Sequence, residues 1–269
     1  MKECRPEDLN LEILKIGGSV ITNKDEPMSA NTAAIDRITR EISTAGGRGI
    51  VIVHGGGSYG HPLAKQYDIS HGYQSDLQLL GFSKTRQAMI QLNSLVVNAL
   101  LDTLVPAVSV NPSSFIVTSD RRIGEVNFNI VEKYVKAGMV PVLYGDAVLD
   151  TEKRLTILSG DQLAARLAID LKAQRLIYGV DVDGVYTANP KLTSKARLIE
   201  DLSLSHMTEI VKIGESLSID VTGGMLGKVQ EAASAVEAGV EVLILNALKP
   251  DFIYNALIGK NVKCTKLRR

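Results

Sequence analysis

The sequence feature that most constrains the fold is a series of short apolar runs, two of which stop at consecutive glycines. Residues 11–16 precede Gly17 and Gly18, and residues 49–53 precede His54 and three further glycines. Short apolar runs without polar alternation are typical of strands that are buried on both faces, as in a parallel sheet. The same pattern predicts further buried strands at 106–110, 140–144, 175–179 and 240–245.

Segments with a helical spacing of apolar residues lie between these runs. Residues 31–44 and 76–102 show this spacing most clearly, and the first of them ends at two glycines. Further helices are predicted at 161–173 and 228–238, with a short helical tail after the last strand. Strands that alternate with helices predict an α/β fold, in which helices cover both faces of a largely parallel sheet.

Residues 146–158 differ from this alternation. Two short runs flank a polar turn there, which predicts a β-hairpin. Because no linker rich in proline, glycine or serine divides the chain, we expect one sheet that two lobes share. Most glycine turns lie in the first half, so the expected change of role falls near residue 170.

The composition disfavours several classes of partner. Thirty basic residues balance thirty acidic ones, so no overall field attracts nucleic acid or an anionic membrane. The N-terminal stretch is polar, and no apolar segment reaches the ~20 residues of a membrane span. Cys4 and Cys264 have neither CxxC nor zinc-site spacing, so we expect two free thiols and no protein-bound metal. These features predict a cytoplasmic protein.

The first glycine turn, 15–19 (KIGGS), follows the first predicted strand, and Lys24 comes soon after it. Two adjacent glycines let the backbone approach a ligand closely, and successive N–H groups there can bind an anion. Lys15 and Lys24 would add positive charge for phosphates. A tight turn with two solvated lysines explains the same residues equally well.

The second glycine turn, 54–61 (HGGGSYGH), follows the second predicted strand. Its glycines match G-x-G-x-x-G, the dinucleotide fingerprint. That fingerprint requires an acidic residue at the end of a second strand about 20 residues later. Asp68 and Asp76 lie instead in a polar stretch that does not resemble a strand. A phosphate site at the start of a helix is therefore favoured over a nicotinamide dehydrogenase.

The four histidines need different interpretations. A single histidine is more often a hydrogen-bonded structural residue than a catalytic one, and His54 is expected to brace the turn. His61 lies just beyond the glycines, where an imidazole can donate to a phosphate oxygen. His71 and His206 are expected to be structural or exposed.

Three further motifs follow along the chain. In 159–161 (SGD), Asp161 either caps a helix or orients nearby lysines, and an indirect hold on Mg²⁺ is also possible. Residues 181–186 (DVDGVY) have the chemistry of a turn after a strand. Residues 222–228 (TGGMLGK) resemble another phosphate turn but fail the P-loop pattern at its first and last positions.

Taken together, KIGGS, HGGG, a central GD, DVDGVY and TGGMxxK resemble the amino acid kinase superfamily, from about residue 11 to 245. Within it, GGGSYGH and GGMLGK are similar to archaeal isopentenyl phosphate kinases, and fosfomycin kinases share the histidine at position 61. The resemblance implies an open αβα sandwich that is usually a homodimer. It also implies an N-terminal acceptor lobe, 1–170, and a C-terminal nucleotide lobe, 171–269.

The resemblance further implies roles for individual residues, with ATP and Mg²⁺ as cofactors, and it singles out no side chain as a metal ligand. The catalytic residues would be Lys15, Lys24, His61, Asp161 and Lys228. Lys24 would stabilise the transferring phosphoryl group, His61 would hold the acceptor phosphate, and Asp161 would organise the lysines. The ATP contacts would be Lys15, Gly17, Gly18, Ser19, Gly56, Asp181, Asp183, Tyr186, Gly223, Gly224 and Lys228. The acceptor contacts would be Gly55, Gly56, Gly60, His61, Gly160 and Asp161.

The expected reaction is ATP-dependent phosphorylation of isopentenyl phosphate to isopentenyl diphosphate. Phosphoryl transfer depends on positioning and charge neutralisation, so lysines and amide groups suffice without a nucleophilic side chain. An acceptor that is already a phosphate monoester is ionised and needs no general base. Its tail would lie against helix 76–102, although the apolar residues of that helix suit a plain core equally well: Leu79, Leu80, Phe82, Ile90 and Leu95.

Two alternatives stay open. One is a related kinase that acts on a carboxylate, a carbamate, UMP or a phosphonate. A carboxylate acceptor favours an arginine nearby, and the first glycine turns contain none. The other is a non-catalytic nucleotide-binding protein, which the presence of Lys15, Lys24, Asp161 and Lys228 together disfavours.

Overall fold

An eight-stranded, mostly parallel sheet forms the centre of a computed structural model that describes residues 10–188, 190, 192–206 and 223–269. The strands, in chain order, are β1 (Glu12–Ile16), β2 (Ile50–His54), β3 (Ala107–Ser109), β4 (Val117–Ser119), β5 (Arg122–Ile123), β6 (Val140–Tyr144), β7 (Asp146–Asp150), β8 (Arg154–Leu158), β9 (Arg175–Val180), β10 (Asp201–Ser203), β11 (Glu241–Asn246) and β12 (Cys264–Arg268). The order in the large sheet is β10-β12-β11-β9-β1-β2-β6-β3, and among the described strand pairs of this sheet only β11–β12 is antiparallel.

Helices cover both faces of this sheet. They are α1 (Gly18–Ile21), α2 (Thr32–Thr44), α3 (Gly57–Gln66), α4 (Asp76–Asp102), α5 (Asn129–Lys136), α6 (Gly160–Asp170), α7 (Gly223–Glu237) and α8 (Phe252–Leu257). Neighbouring residues of a strand point to opposite faces. Ile13 accordingly packs into a core cluster with α5, α6 and α7, and Leu14 packs into a second cluster with α2, α4 and α8. The predicted open αβα sandwich is confirmed.

The predicted hairpin is also confirmed, as the antiparallel pair β7–β8 within a second, four-stranded sheet of order β5-β4-β7-β8.

Two predictions were wrong. Residues 106–110 do not form a buried strand, because β3 lies at the sheet edge, pairs only with β6 and is partly exposed. The chain after the last predicted strand contains not only α8 but also β12, whose polar residues concealed it.

Cys264, on β12, is a buried free thiol, as expected, whereas Cys4 lies outside the described residues. No helix within the described ranges is both long enough and apolar enough to cross a membrane.

Candidate active site

A cavity of about 790 Å³ lies at the carboxyl ends of four adjacent strands, β9, β1, β2 and β6. The residues that follow these strands line it, among them Gly17, Gly55, Gly145 and Asp181. In parallel α/β sheets, ligands bind at the carboxyl ends of the strands. The cavity therefore occupies the position where this fold presents its loops to a ligand.

The two glycine turns lie directly against each other. A Cβ atom on Gly18 would lie 2.2 Å from the backbone nitrogen of Gly57, and one on Gly55 would lie 2.7 Å from the nitrogen of Gly18. Gly57 also has a φ of +47°, in the left-handed region that favours glycine. These glycines are required by the contact between the two turns, in addition to any approach of a ligand.

Because a side chain at this contact would collide with backbone, we expect Gly18→Ala to destabilise the fold. Overpacking of this kind lowers the free energy of unfolding by about 1–3 kcal/mol. Urea denaturation would measure the change. Gly227→Ala is the matched control, since a Cβ there would meet nothing within 4 Å on α7. Equal stability of the two variants would contradict this explanation.

Asp161 connects two lysines that are far apart in the sequence. Its two carboxylate oxygens lie 2.6 Å from the Nζ atoms of Lys15 and Lys228. Lys15 lies on the central strand β1 and is 4% exposed, and Lys228 lies on α7 and is 8% exposed. Buried charges are tolerated when they are paired in this way. The geometry matches the expected role of Asp161 in organising the lysines.

Asp161 is not the helix cap that was considered as an alternative. Ser159 is the N-cap of α6, and its side-chain oxygen accepts a hydrogen bond of 3.2 Å from the Asp161 N–H. Asp161 therefore lies in the first turn, where its carboxylate is free to reach the lysines.

The electrostatics of this group follow from its burial. Burial alone would raise the pKa of Asp161, but Lys15 and Lys228 hold it below its ordinary value. Burial and the nearby charge of Lys15 lower the pKa of Lys228 to about 8. The ring centre of Tyr178 lies 5.7 Å from the Lys228 Nζ. Burial keeps the pKa of Tyr178 far above its usual value, so the phenol stays neutral.

The lowered pKa of Lys228 predicts a pH dependence. Lys228 is protonated below about pH 8 and loses its charge as the pH rises through that value. We therefore expect the affinity of the ligand-free protein for MgATP to fall as pH rises through about 8, measured by calorimetry. Lys228→Arg should move this decline to much higher pH, because arginine stays charged. A decline that persists unchanged in Lys228→Arg would assign the titration to another group.

Lys24 reaches the same cavity from the loop between α1 and α2. Its Nζ lies 2.8 Å from a carboxylate oxygen of Asp181, which follows β9. Lys24 is 57% exposed, so unlike Lys15 and Lys228 it is free to move toward a ligand. The pair joins the N-terminal and C-terminal parts of the cavity wall.

The two histidines of the second glycine turn are in different environments. His61, in α3, lines the cavity, and burial together with the charge of Lys15 lowers its pKa. His54 is fully buried beneath the turn, and burial lowers its pKa to about 4, so its imidazole is neutral. These positions agree with the interpretation of His61 as a ligand contact and His54 as a brace. His71 is exposed beside Asp68, and His206 bonds to Ser203.

The helix residues expected to wall an apolar tail do not line the cavity. Instead α4 contributes Thr85 and Met89, and β8 contributes Ile157. The five residues that were expected to line it lie outside it. Leu79, Leu80 and Leu95 are exposed, Ile90 is half-buried, and Phe82 packs against a small cluster around Tyr67. Apolar residues lie around most of α4, so the sequence does not show which face meets the cavity.

Most of the other predicted site residues in the described part of the chain line the cavity: Gly17, Gly18, Ser19, Gly55, Gly56, Gly60, Gly160, Asp181 and Tyr186. Asp183 does not. Its carboxylate oxygens lie 2.7 Å and 3.1 Å from the Nζ atoms of Lys249 and Lys263. Gly223 and Gly224 are the first residues of α7, and their contact with the nucleotide stays a prediction.

Sequence reasoning missed several lining residues, including Thr85, Met89, Asp146, Ile157 and Met225. A spacing of four places Thr85 and Met89 on one face of α4. Asp146 directly follows Gly145 after β6, which is the position of a glycine turn in this fold, so that pattern was available. Met225 lies within the TGGMLGK motif, which was available as a signal, whereas nothing in the sequence marks Ile157.

Known proteins are similar to this chain in sequence and fold. The model of the Amino acid kinase family matches residues 10–246. The isopentenyl phosphate kinase of Methanothermobacter thermautotrophicus is 42% identical over 95% of this chain and 98% of its own length. That of Methanocaldococcus jannaschii is 34% identical over 93% of this chain and 96% of its own length.

A solved structure of an isopentenyl phosphate kinase superimposes with a TM-score of 0.84 and 40% identity, covering 96% of this chain and 99% of that one. The predicted resemblance is therefore confirmed over nearly the whole chain. With its cavity at the strand ends and its buried lysine–aspartate–lysine group, the chain belongs to the amino acid kinase family.

Proposed function

We propose that this protein transfers the γ-phosphoryl group of ATP to isopentenyl phosphate, which gives isopentenyl diphosphate and ADP. The observation that carries the proposal is the cavity of about 790 Å³, whose lining includes Lys15, Lys24, Lys228 and His61. The named activity of the relatives with 42% and 34% identity supports the choice of acceptor.

The chemistry follows from the charges on the reactants. An oxygen of the acceptor phosphate attacks the γ-phosphorus, and the bond from that phosphorus to the β–γ bridging oxygen of ATP breaks. The attacking oxygen is already ionised, so no proton has to be removed. Lysine ammonium groups neutralise the charge that spreads over the transferring oxygens. Lys24, the exposed member, would follow the phosphoryl group, whereas Lys15 and Lys228 are each paired with Asp161.

Residues 1–170 would bind the acceptor and residues 171–269 the nucleotide. His61 and the first glycine turns lie in the former, and Asp181, Tyr186 and Lys228 in the latter. Mg²⁺ would neutralise charge on the nucleotide phosphates. Because both oxygens of Asp161 are engaged by lysines, we propose that the ion is bound through the phosphates rather than by this carboxylate. A cytoplasmic homodimer is the assembly and location that we propose.

The acceptor end of the cavity fits an apolar tail better than a carboxylate. Met89, which is 1% exposed, and Ile157 contribute apolar surface there. Arg86 follows Thr85 on α4, but its Nε lies 3.7 Å from the fully buried Asp146 carboxylate. No arginine is among the described residues that line the cavity, which disfavours a glutamate-type acceptor.

An ADP-release assay with several acceptors tests the proposal. We expect turnover with isopentenyl phosphate to exceed turnover with glutamate, aspartate, N-acetylglutamate, carbamate, UMP and fosfomycin. Clear turnover on an amino acid without turnover on isopentenyl phosphate would overturn the acceptor and leave the kinase assignment intact. If the protein did not bind ATP, the proposed acceptor and the kinase assignment would both be wrong.

A further inference from the structure

His54 makes two buried hydrogen bonds that the proposed reaction does not use directly. Its Nδ1 lies 3.1 Å from the carbonyl oxygen of Gly55, and its Nε2 lies 3.2 Å from the Nδ2 of Asn93. His54 is fully buried and Asn93 is 2% exposed. Asn93 lies on α4, one turn after Met89, and its Oδ1 accepts a hydrogen bond of 2.6 Å from the Ser109 hydroxyl.

The position of each proton follows from the chemistry of these partners. A carbonyl oxygen only accepts hydrogen bonds, so the Nδ1 facing Gly55 must carry a proton. In a neutral imidazole the other nitrogen is then an acceptor, and Asn93 supplies the matching N–H donor. With its amide nitrogen facing His54, the Asn93 oxygen faces Ser109, as observed. The contacts therefore allow a single tautomer of His54.

The bond to Gly55 fixes the direction of the following amide. The peptide unit between Gly55 and Gly56 is planar and trans, so its C=O and N–H point in opposite directions. Its carbonyl points down to the buried imidazole. The Gly56 N–H must therefore point away from His54, on the side where Gly56 lines the cavity.

Loss of the His54 bond would leave the carbonyl of this peptide without the buried partner that selects its orientation. The peptide lies between two glycines, which have no Cβ and so adopt many backbone conformations that other residues exclude. A reversed peptide would present a carbonyl oxygen to the phosphates instead of an N–H, which replaces attraction with repulsion.

We propose that His54 and Asn93 are positioning residues that hold the Gly55–Gly56 peptide in one orientation and so keep the Gly56 N–H directed at bound phosphate. The inference rests on the proposed function for the identity of the ligand. Phosphoryl transfer would then depend on Asn93 and on the buried imidazole of His54, although neither side chain touches the substrate.

The first test uses the unmodified protein. Long-range ¹H–¹⁵N NMR distinguishes the two imidazole tautomers, and we expect His54 at neutral pH to carry its proton on Nδ1. A proton on Nε2, or a doubly protonated ring, would overturn the proposal. This result does not depend on which acceptor the enzyme uses.

The second test compares two substitutions at the same position. In His54→Asn the side-chain Nδ2 occupies nearly the place of Nδ1 and can donate to Gly55, whereas His54→Leu fills the space without a donor. We expect His54→Leu to weaken pyrophosphate binding by roughly tenfold and to lower kcat more than it raises the KM for ATP. His54→Asn should recover most of both losses.

Asn93→Leu removes the partner of Nε2 and should cause a smaller loss in the same direction, which keeps the test open if His54→Leu fails to fold. Ser94→Ala, on the exposed side of α4, is the control and should bind pyrophosphate like the wild type. Equal losses in His54→Leu and His54→Asn would reduce His54 to a packing residue. A failed acceptor assay with the expected pyrophosphate series would overturn the acceptor and leave this inference standing.

Discussion

Asp161→Asn is expected to abolish most activity, with a fall in kcat of roughly 10²–10³. Asparagine retains the shape of the side chain but removes the negative charge that both Lys15 and Lys228 contact at 2.6 Å. Two neighbouring ammonium groups would then repel each other, and one of them would turn away or lose its proton. Steady-state kinetics and thermal unfolding, measured on the same preparation, separate lost catalysis from lost folding.

Asp170→Asn is the matched control, because Asp170 lies on the same helix, α6, in a more exposed pair with Arg166. Exposed pairs of this kind contribute about 0–1 kcal/mol, so the control should stay active and folded. If Asp161→Asn retained kcat within about threefold of the wild type, the buried carboxylate would not be organising the transition state.

His61→Ala is expected to lower kcat/KM for the acceptor by roughly 10- to 100-fold, the range for losing one hydrogen bond to a charged group. The KM for ATP should change little, because His61 is proposed to contact the acceptor phosphate. Its side chain opens into the cavity, so its removal leaves no void in the core. Kinetics with each substrate varied in turn would show the separation.

His71→Ala provides the comparison, since His71 is exposed and pairs only with Asp68 among the contacts described for it. It should retain wild-type kinetics. Were His61→Ala to behave like His71→Ala, the histidine would lose its proposed role, and the acceptor would have to be held by backbone amides and lysines alone.

Much of the fold was predictable because its central strands are largely apolar. The runs that became β1, β2 and β6 are buried at every position, and such runs carry a strong signal in the sequence. The burial of β3 was mispredicted because an apolar run at the edge of a sheet resembles one at its centre, and β12 was missed because it mixes polar and apolar residues. Edge position depends on which strands are neighbours, which is a property of the whole sheet.

Most residues of the site could be predicted from the sequence, but the contacts between them could not. Glycine turns and lysines identified the region, and family resemblance selected Asp161 and Lys228. Their pairing joins residues 67 positions apart, and the bond between Asn93 and His54 joins residues 39 apart. Long-range contacts of this kind depend on helix rotation, which for α4 the pattern of apolar residues leaves undetermined.

The contact between Gly18 and Gly57 limits how this enzyme can change its substrate. The two turns leave no room for a side chain between them, so Gly18, Gly55 and Gly57 cannot be replaced by a larger residue without moving the backbone. Variation is left to the side chains beyond this contact, such as Met89 and Ile157. Directed evolution toward bulkier alkyl phosphates should therefore accumulate changes on α4 and β8 while both turns stay constant.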